Sequence, residues 1–290
     1  MRRDYSLRLV LFAIFAAIVG CTFDPQRPGA SPSDAGAGED AGDGSSDAVP
    51  CANDILDFTP SNFDDCDLAA PGAALELGDG SWTLNSDSGA ISGTSSIELS
   101  AVTAIPQSDA PILRVYTVDS FTLAAEATLR IEGQAAIAIV SAGDITIDGV
   151  ISVAGLQAGT GNGAGGGDAL YCGVGGAGVD GQDQTDTDGD VGGSGGSGAG
   201  FGDAGGPGGR SSPGKPITNA GSAGGTEQLE PLRGGCLGGS GGGVAGAGTG
   251  GMGGGAGGAI QLVAANALAL SDSAAITARG GAGGGGAGGD

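Results

Sequence analysis

The stretch Leu113–Gly155, LRVYTVDSFTLAAEATLRIEGQAAIAIVSAGDITIDGVISVAG, carries a period that the rest of the chain extends or interrupts. Written in rows of about 24 residues, its apolar positions fall into columns: Ile91, Val115 and Ile139; Ile97, Phe121 and Ile145; Leu99, Leu123 and Ile147, with Leu113 above Ile137. Leu129 and Ile131 stand above Ile151 and Val153 at a spacing of 22. Within a row, FTL and ITI alternate apolar and small polar residues, the period of half-buried strands. Gly143-Asp144 and Asp148-Gly149 supply turn residues between them. Strands repeating at one interval predict an all-β fold, a short parallel β-solenoid of roughly 24-residue coils, because one coil cannot bury its own face and stacking makes the core. An antiparallel β-sandwich gives no reason for a fixed interval.

The period returns late in the chain. In GGAIQLVAANALALSDSAAITARGG, Ile260, Leu262, Leu268 and Leu270 each lie 123 residues after Ile137, Ile139, Ile145 and Ile147, and Ile276 matches Ile151 after a slip of two. Residues 259–279 are therefore expected to form a final coil, after coils in 94–155, with 280–290 as a glycine-rich tail. Between them, residues 156–258 hold 43 glycines in 103 positions without a strict third-residue rule, which excludes collagen. This block reads as an insertion from one corner of the solenoid. It is either disordered, since glycine has the most backbone entropy to lose, or a bundle of polyproline-II-like glycine strands.

Upstream, MRRDYSLRLVLFAIFAAIVGC has Arg2, Arg3 and Arg8 before an apolar run of 11 residues, Leu9–Val19, too short to span a bilayer. Residues 1–20 read as a signal peptide, cleaved between Gly20 and Cys21. The ending Ile18-Val19-Gly20-Cys21 resembles the lipobox of bacterial lipoproteins. That resemblance implies diacylglycerol on the Cys21 thiol, acylation of the new terminus and anchoring in a lipid bilayer, with Thr22 directing the protein to the outer membrane. Residues 21–50 are Asp, Gly, Ser, Ala and Pro with little that is apolar, a flexible acidic tether.

Residues 51–93 are expected to hold a disulfide-containing cap and the first strands, with Trp82 as a core or cap side chain. With Cys21 assigned to lipid, Cys51, Cys66, Cys172 and Cys236 remain, an even number in an exported chain. Of the three connectivities, Cys51–Cys66 and Cys172–Cys236 are preferred, one local and one closing the ends of the insertion.

The absence of histidine removes Ser-His-Asp and Cys-His chemistry and His-ligated metal. Carboxylate catalysis is left, with Glu132, Asp144 and Asp148 as the acids to test. In DGQDQTDTDGD, Asp186, Asp188 and Asp190 around Gly189 have the alternation of a calcium loop, but Gln184 and Gly195 stand where two further ligands belong, so calcium is a weak expectation and no other cofactor is indicated. Beyond the leader, 32 acids (all but Asp4) face seven bases (all but Arg2, Arg3 and Arg8), a net charge of −25 that opposes nucleic acid as a partner.

Taken together, the lipobox, acidic spacer, paired cysteines, NSDSGAI segment and the two coil stretches resemble a group of glycine-rich bacterial surface lipoproteins. The resemblance carries no catalytic residues over, and the chain as a whole reads as a non-catalytic surface protein with a structural or adhesive role, meeting a surface polysaccharide or protein. The alternatives are a carbohydrate-active β-helix enzyme or polysaccharide-binding protein, and a calcium-stabilised adhesin.

Overall fold

Three parallel ladders share one apolar core. The computed structural model describes residues 54–157, 161–167, 171–172, 177–181, 196–199, 206–208, 229–243 and 250–284. Within them the fold is β, and the single helical element is a 3-10 turn, Asp65–Asp67. The strands are β1 (Leu75–Leu77), β2 (Gly80–Asn85), β3 (Ala90–Ser92), β4 (Ser96–Glu98), β5 (Val102–Ile105), β6 (Leu113–Val118), β7 (Phe121–Leu123), β8 (Ala127–Glu132), β9 (Ala136–Ser141), β10 (Ile145–Ile147), β11 (Val150–Ser152), β12 (Ile260–Ala264), β13 (Leu268–Leu270) and β14 (Ala275–Thr277).

The first sheet runs β1-β7-β10-β13, the second β14-β11-β8-β2-β3-β4 and the third β12-β9-β6-β5. The chain visits third, first and second sheet in that order three times, as β6-β7-β8, β9-β10-β11 and β12-β13-β14. Phe121 pairs with Ile145 and Ile145 with Leu268; Leu129 pairs with Ile151 and Ile151 with Ile276, all in parallel. Ile137 pairs with Ile260 and Ile139 with Leu262 across the 123-residue gap. Each strand turns alternate side chains inward, so Phe121, Leu123, Ile145, Ile147, Leu129, Ile151, Ile137 and Ile139 fill one core with no exposed surface. Corners are held by polar side chains: Ser141 Oγ lies 3.2 Å from Asp119 O and 3.0 Å from Asp144 O, and it accepts from Gly143 N–H.

The first row differs from the expected columns. Phe121 and Leu123 pair on their other side with Leu75 and Leu77, not with Ile97 and Leu99. Ile91 and Ile97 instead pair with each other in the antiparallel hairpin β3–β4, which continues the second sheet from β2. The chain reverses at Gly89 (φ +78°), where a side chain would also strike Leu99 O and the Tyr116 ring. Ile91 and Leu99 are thereby folded over the end of the core. Along β6 the register is one residue off the column: Leu113 pairs with Ala136 and Tyr116, rather than Val115, with Ile139. The physical reason is the tyrosine: the Tyr116 ring faces the core with its hydroxyl donating to Ser86 O at 2.8 Å, while Leu113 and Val115 face outward.

That outward face of the third sheet is covered. Leu56, Phe63 and Leu68, from the segment preceding β1, pack with Leu232 onto Leu113, Val115, Ala136, Ala138, Val140 and Val263, so every residue of β9 is buried. Of residues 51–93, the part before β1 thus lies over the outer face of the third sheet, while Ile91 lies over the end of the core. Trp82 is a core residue, its Nε1 donating to Gly78 O at 2.7 Å.

The described parts of the glycine-rich block follow the bonded reading. Gly235, Gly238 and Gly241 donate to Gly257, Gly254 and Gly251 O at 2.7–3.1 Å, three residues forward on one segment for three back on the other. Gly178 and Gly181 donate to Leu237 and Ser240 O, and Gly281 and Gly284 to Gly255 and Met252 O, with the same step. Three residues per turn is the period of polyproline II, which has no internal hydrogen bonds and finds partners only on its neighbours. Contact this close needs glycine: a side chain at Gly239 would meet Val179 O, and one at Gly257 would meet Ala278 O. The block is tied to the sheets by Gln107, whose side-chain amide donates to Leu232 O (2.9 Å) and accepts from Leu232 N–H (2.8 Å).

Candidate functional site on the outer face of the second sheet

The outward residues of the second sheet are mostly polar, Val150 and Ala275 excepted, where its inward residues are Trp82, Leu84, Leu129, Ile131 and Ile151. Register lines them into rungs. One rung is Thr83, Arg130, Ser152 and Thr277; the next is Ser81, Thr128, Val150 and Ala275; a third pairs Asn85 with Glu132. Rungs of this kind repeat every ~4.8 Å across the strands and about 7 Å along them. The result is an array of hydroxyls and one charged pair, interrupted by Val150 and Ala275, on a partly exposed face. Arg130 is its centre: Nε lies 3.5 Å from Glu132 Oε2 and Nη1 donates to Ala154 O at 3.2 Å, while buried Nη2 has no hydrogen-bond partner. At one edge Asp87 accepts from Gln134 N–H and Ala135 N–H, both at 2.9 Å, and so holds the corner that follows Glu132.

The three acids singled out for carboxylate chemistry occupy three different corners. Asp144 precedes β10, Asp148 lies between β10 and β11, and Glu132 ends β8 and pairs with Arg130. They are not brought together. Among the described residues no group of three or more His, Cys, Asp or Glu side chains could hold a metal ion. The Asp186, Asp188 and Asp190 loop, Gly20, Cys21 and Cys51 lie outside the described residues. Cys172 and Cys236 form a disulfide with Cα atoms 5.7 Å apart, and Cys66 is disulfide-bonded as well. No described helix is long and apolar enough to cross a membrane.

The rung lattice could not be singled out in the sequence, because its members are ordinary Ser, Thr and Asn that acquire meaning only from register. Their alternation with core residues was the available signal. Comparisons with protein-family models, curated proteins and solved structures find no match.

Proposed function

We propose that the three sheets are the faces of a short parallel β-solenoid, carried on a lipid-anchored tether at the bacterial cell surface, where it acts in structure or adhesion. The observation that carries the adhesive role is the rung lattice of the second sheet: hydroxyls, one guanidinium and one carboxylate at fixed intervals suit a polymer with repeating hydroxyls, such as a surface polysaccharide. Repetition gives each rung little affinity and the face as a whole a useful one. The lipobox-like ending at Cys21 and the acidic spacer support the anchoring. Metabolic labelling with a fatty-acid probe, comparing the chain with Cys21→Ser, followed by protease shaving of intact cells, tests it. Label that depends on Cys21, with removal by shaving, is the expected result; label without that dependence, or protection from protease, overturns it. Retention on immobilised cell-surface polysaccharide, weakened by Arg130→Ala, tests the adhesive face.

A further inference from the structure

The two ends of the stack are unlike. At the first, two of three strand edges are occupied, β2 by β3 and β6 by β5, and Ile91 and Leu99 close over the core. At the last, β12, β13 and β14 are the outermost strands of their sheets among the described residues. Exposure follows: in the column Phe121, Ile145, Leu268 it runs 0%, 0%, 47%, and in Leu129, Ile151, Ile276 it runs 0%, 0%, 41%. Leu270, beyond Leu123 and Ile147, is 49% exposed. Among the described residues these three edges have no strand partner, and bare edges beside exposed apolar side chains invite strand pairing.

We propose that this end face binds a second copy of the chain, end to end about a twofold axis. Charge points to a copy rather than to a partner of opposite sign. From Ile260 to Thr277 the one ionisable side chain is Asp272, at the corner between β13 and β14, in a chain with 33 acids and 10 bases. The face is therefore nearly uncharged and meets its own image with one like-charged pair at its rim, on the twofold axis. Symmetry then makes a demand that the strand lengths meet. A twofold axis lying in the end face reverses the sense in which the strands run round the core, so every strand meets its mate antiparallel. It pairs one strand with itself and exchanges the other two. The unique strand is β12 with five residues; β13 and β14 have three each. So β12 pairs with the partner's β12, and β13 with the partner's β14. Inward side chains must face inward, which sets Leu270 or Leu268 opposite the partner's Ile276. Because Ile91 and Leu99 cover the core at the other end and β1 alone of the three first-row strands keeps a bare edge there among the described residues, the assembly stops at two instead of growing into a filament. The inference rests on the stacking part of the reading above and is independent of the lipid anchor and of the adhesive face.

Sedimentation velocity of the full chain in non-ionic detergent, over a range of concentrations, tests it. A monomer–dimer equilibrium without larger species is expected. Leu270→Glu and Ile276→Lys should each raise the dimer dissociation constant about tenfold or more, and the two combined should restore the dimer by facing opposite charges across the axis. Thr122→Glu, on the outer face of the first sheet, should leave association unchanged. Circular-dichroism melts of the same samples report folding, and Leu270→Ser replaces any charged variant that does not fold. A chain that stays monomeric, one that grows into longer species, or a dimer undiminished by Leu270→Glu or Leu270→Ser overturns the proposal.

Discussion

Tyr116 sits within β6 with its ring in the core and its hydroxyl on Ser86 O. Burial pushes the phenol up to about 12 from 10.0, Arg114 opposes this, and Asp87 adds to it. The sign follows from which form the fold prefers. The neutral phenol is favoured in the folded state, so its contribution to stability is complete below pH 10 and is lost as pH rises from 10 toward 12. Denaturation followed across that window should show a steep alkaline loss, which Tyr116→Phe flattens. Spectroscopic titration should find a phenolate signal at about 12 that Tyr116→Phe removes. Glycine gives a second test at this scale. A methyl group at Gly155 would meet Gly255 O and Ala256 O, whereas one at Gly206 would meet nothing within 4 Å. Gly155→Ala should cost about 1–3 kcal/mol in urea unfolding, and Gly206→Ala close to nothing.

At the scale of the strand, the column is the unit. Ile145 is fully buried between Phe121 and Leu268, so Ile145→Asp leaves an uncompensated carboxylate in the core at a cost of about 3–5 kcal/mol. Thermal melts should show an unfolded or non-cooperative variant; an unchanged melt would mean that the column is not the core. The columns joining β7 to β10 and β13, β8 to β11 and β14, and β9 to β12 were legible in the sequence, because large aliphatic residues recur at inward positions. The first row was not. Ile91, Ile97 and Leu99 keep the interval but belong to a hairpin, and interval alone cannot separate a parallel partner from an antiparallel neighbour. The offset along β6 was hidden for a similar reason: Leu113, Val115, Tyr116 and Val118 are all apolar, since the third sheet is buried on both faces and alternation disappears. The glycine segments were less legible still. Their register is written in backbone contacts, and glycine has no side chain to mark a period.

For the whole molecule, the separation of rows is the telling quantity. Deleting residues 158–257 shortens the Ile137–Ile260 spacing from 123 to 23, the spacing of Leu113 and Ala136. The shortened chain should keep its β-sheet circular dichroism, because β12 can then follow β11 at the normal interval. It should melt lower, having lost the packing of buried Ala164 and Leu232 against the sheets, a deficit of about 2–4 kcal/mol. Disappearance of the sheet signal would show that the rows need the glycine block to form.

The long interval between β9 and β12 also orders events in time. The rows from β1 to β11 need only residues 75–152, and they can pair while the remainder of the chain is still being synthesised. The last row must wait for about a hundred further residues and then close a large loop, and closing long loops before any contact rewards them is what slows folding. Pulsed hydrogen exchange during refolding should therefore register protection in β7, β8 and β10 before β12 and β14. Until the last row docks, β9, β10 and β11 form the bare edge and Ile145, Ile147 and Ile151, fully buried in the finished protein, lack their covering row, so the nascent chain exposes apolar surface that promotes aggregation.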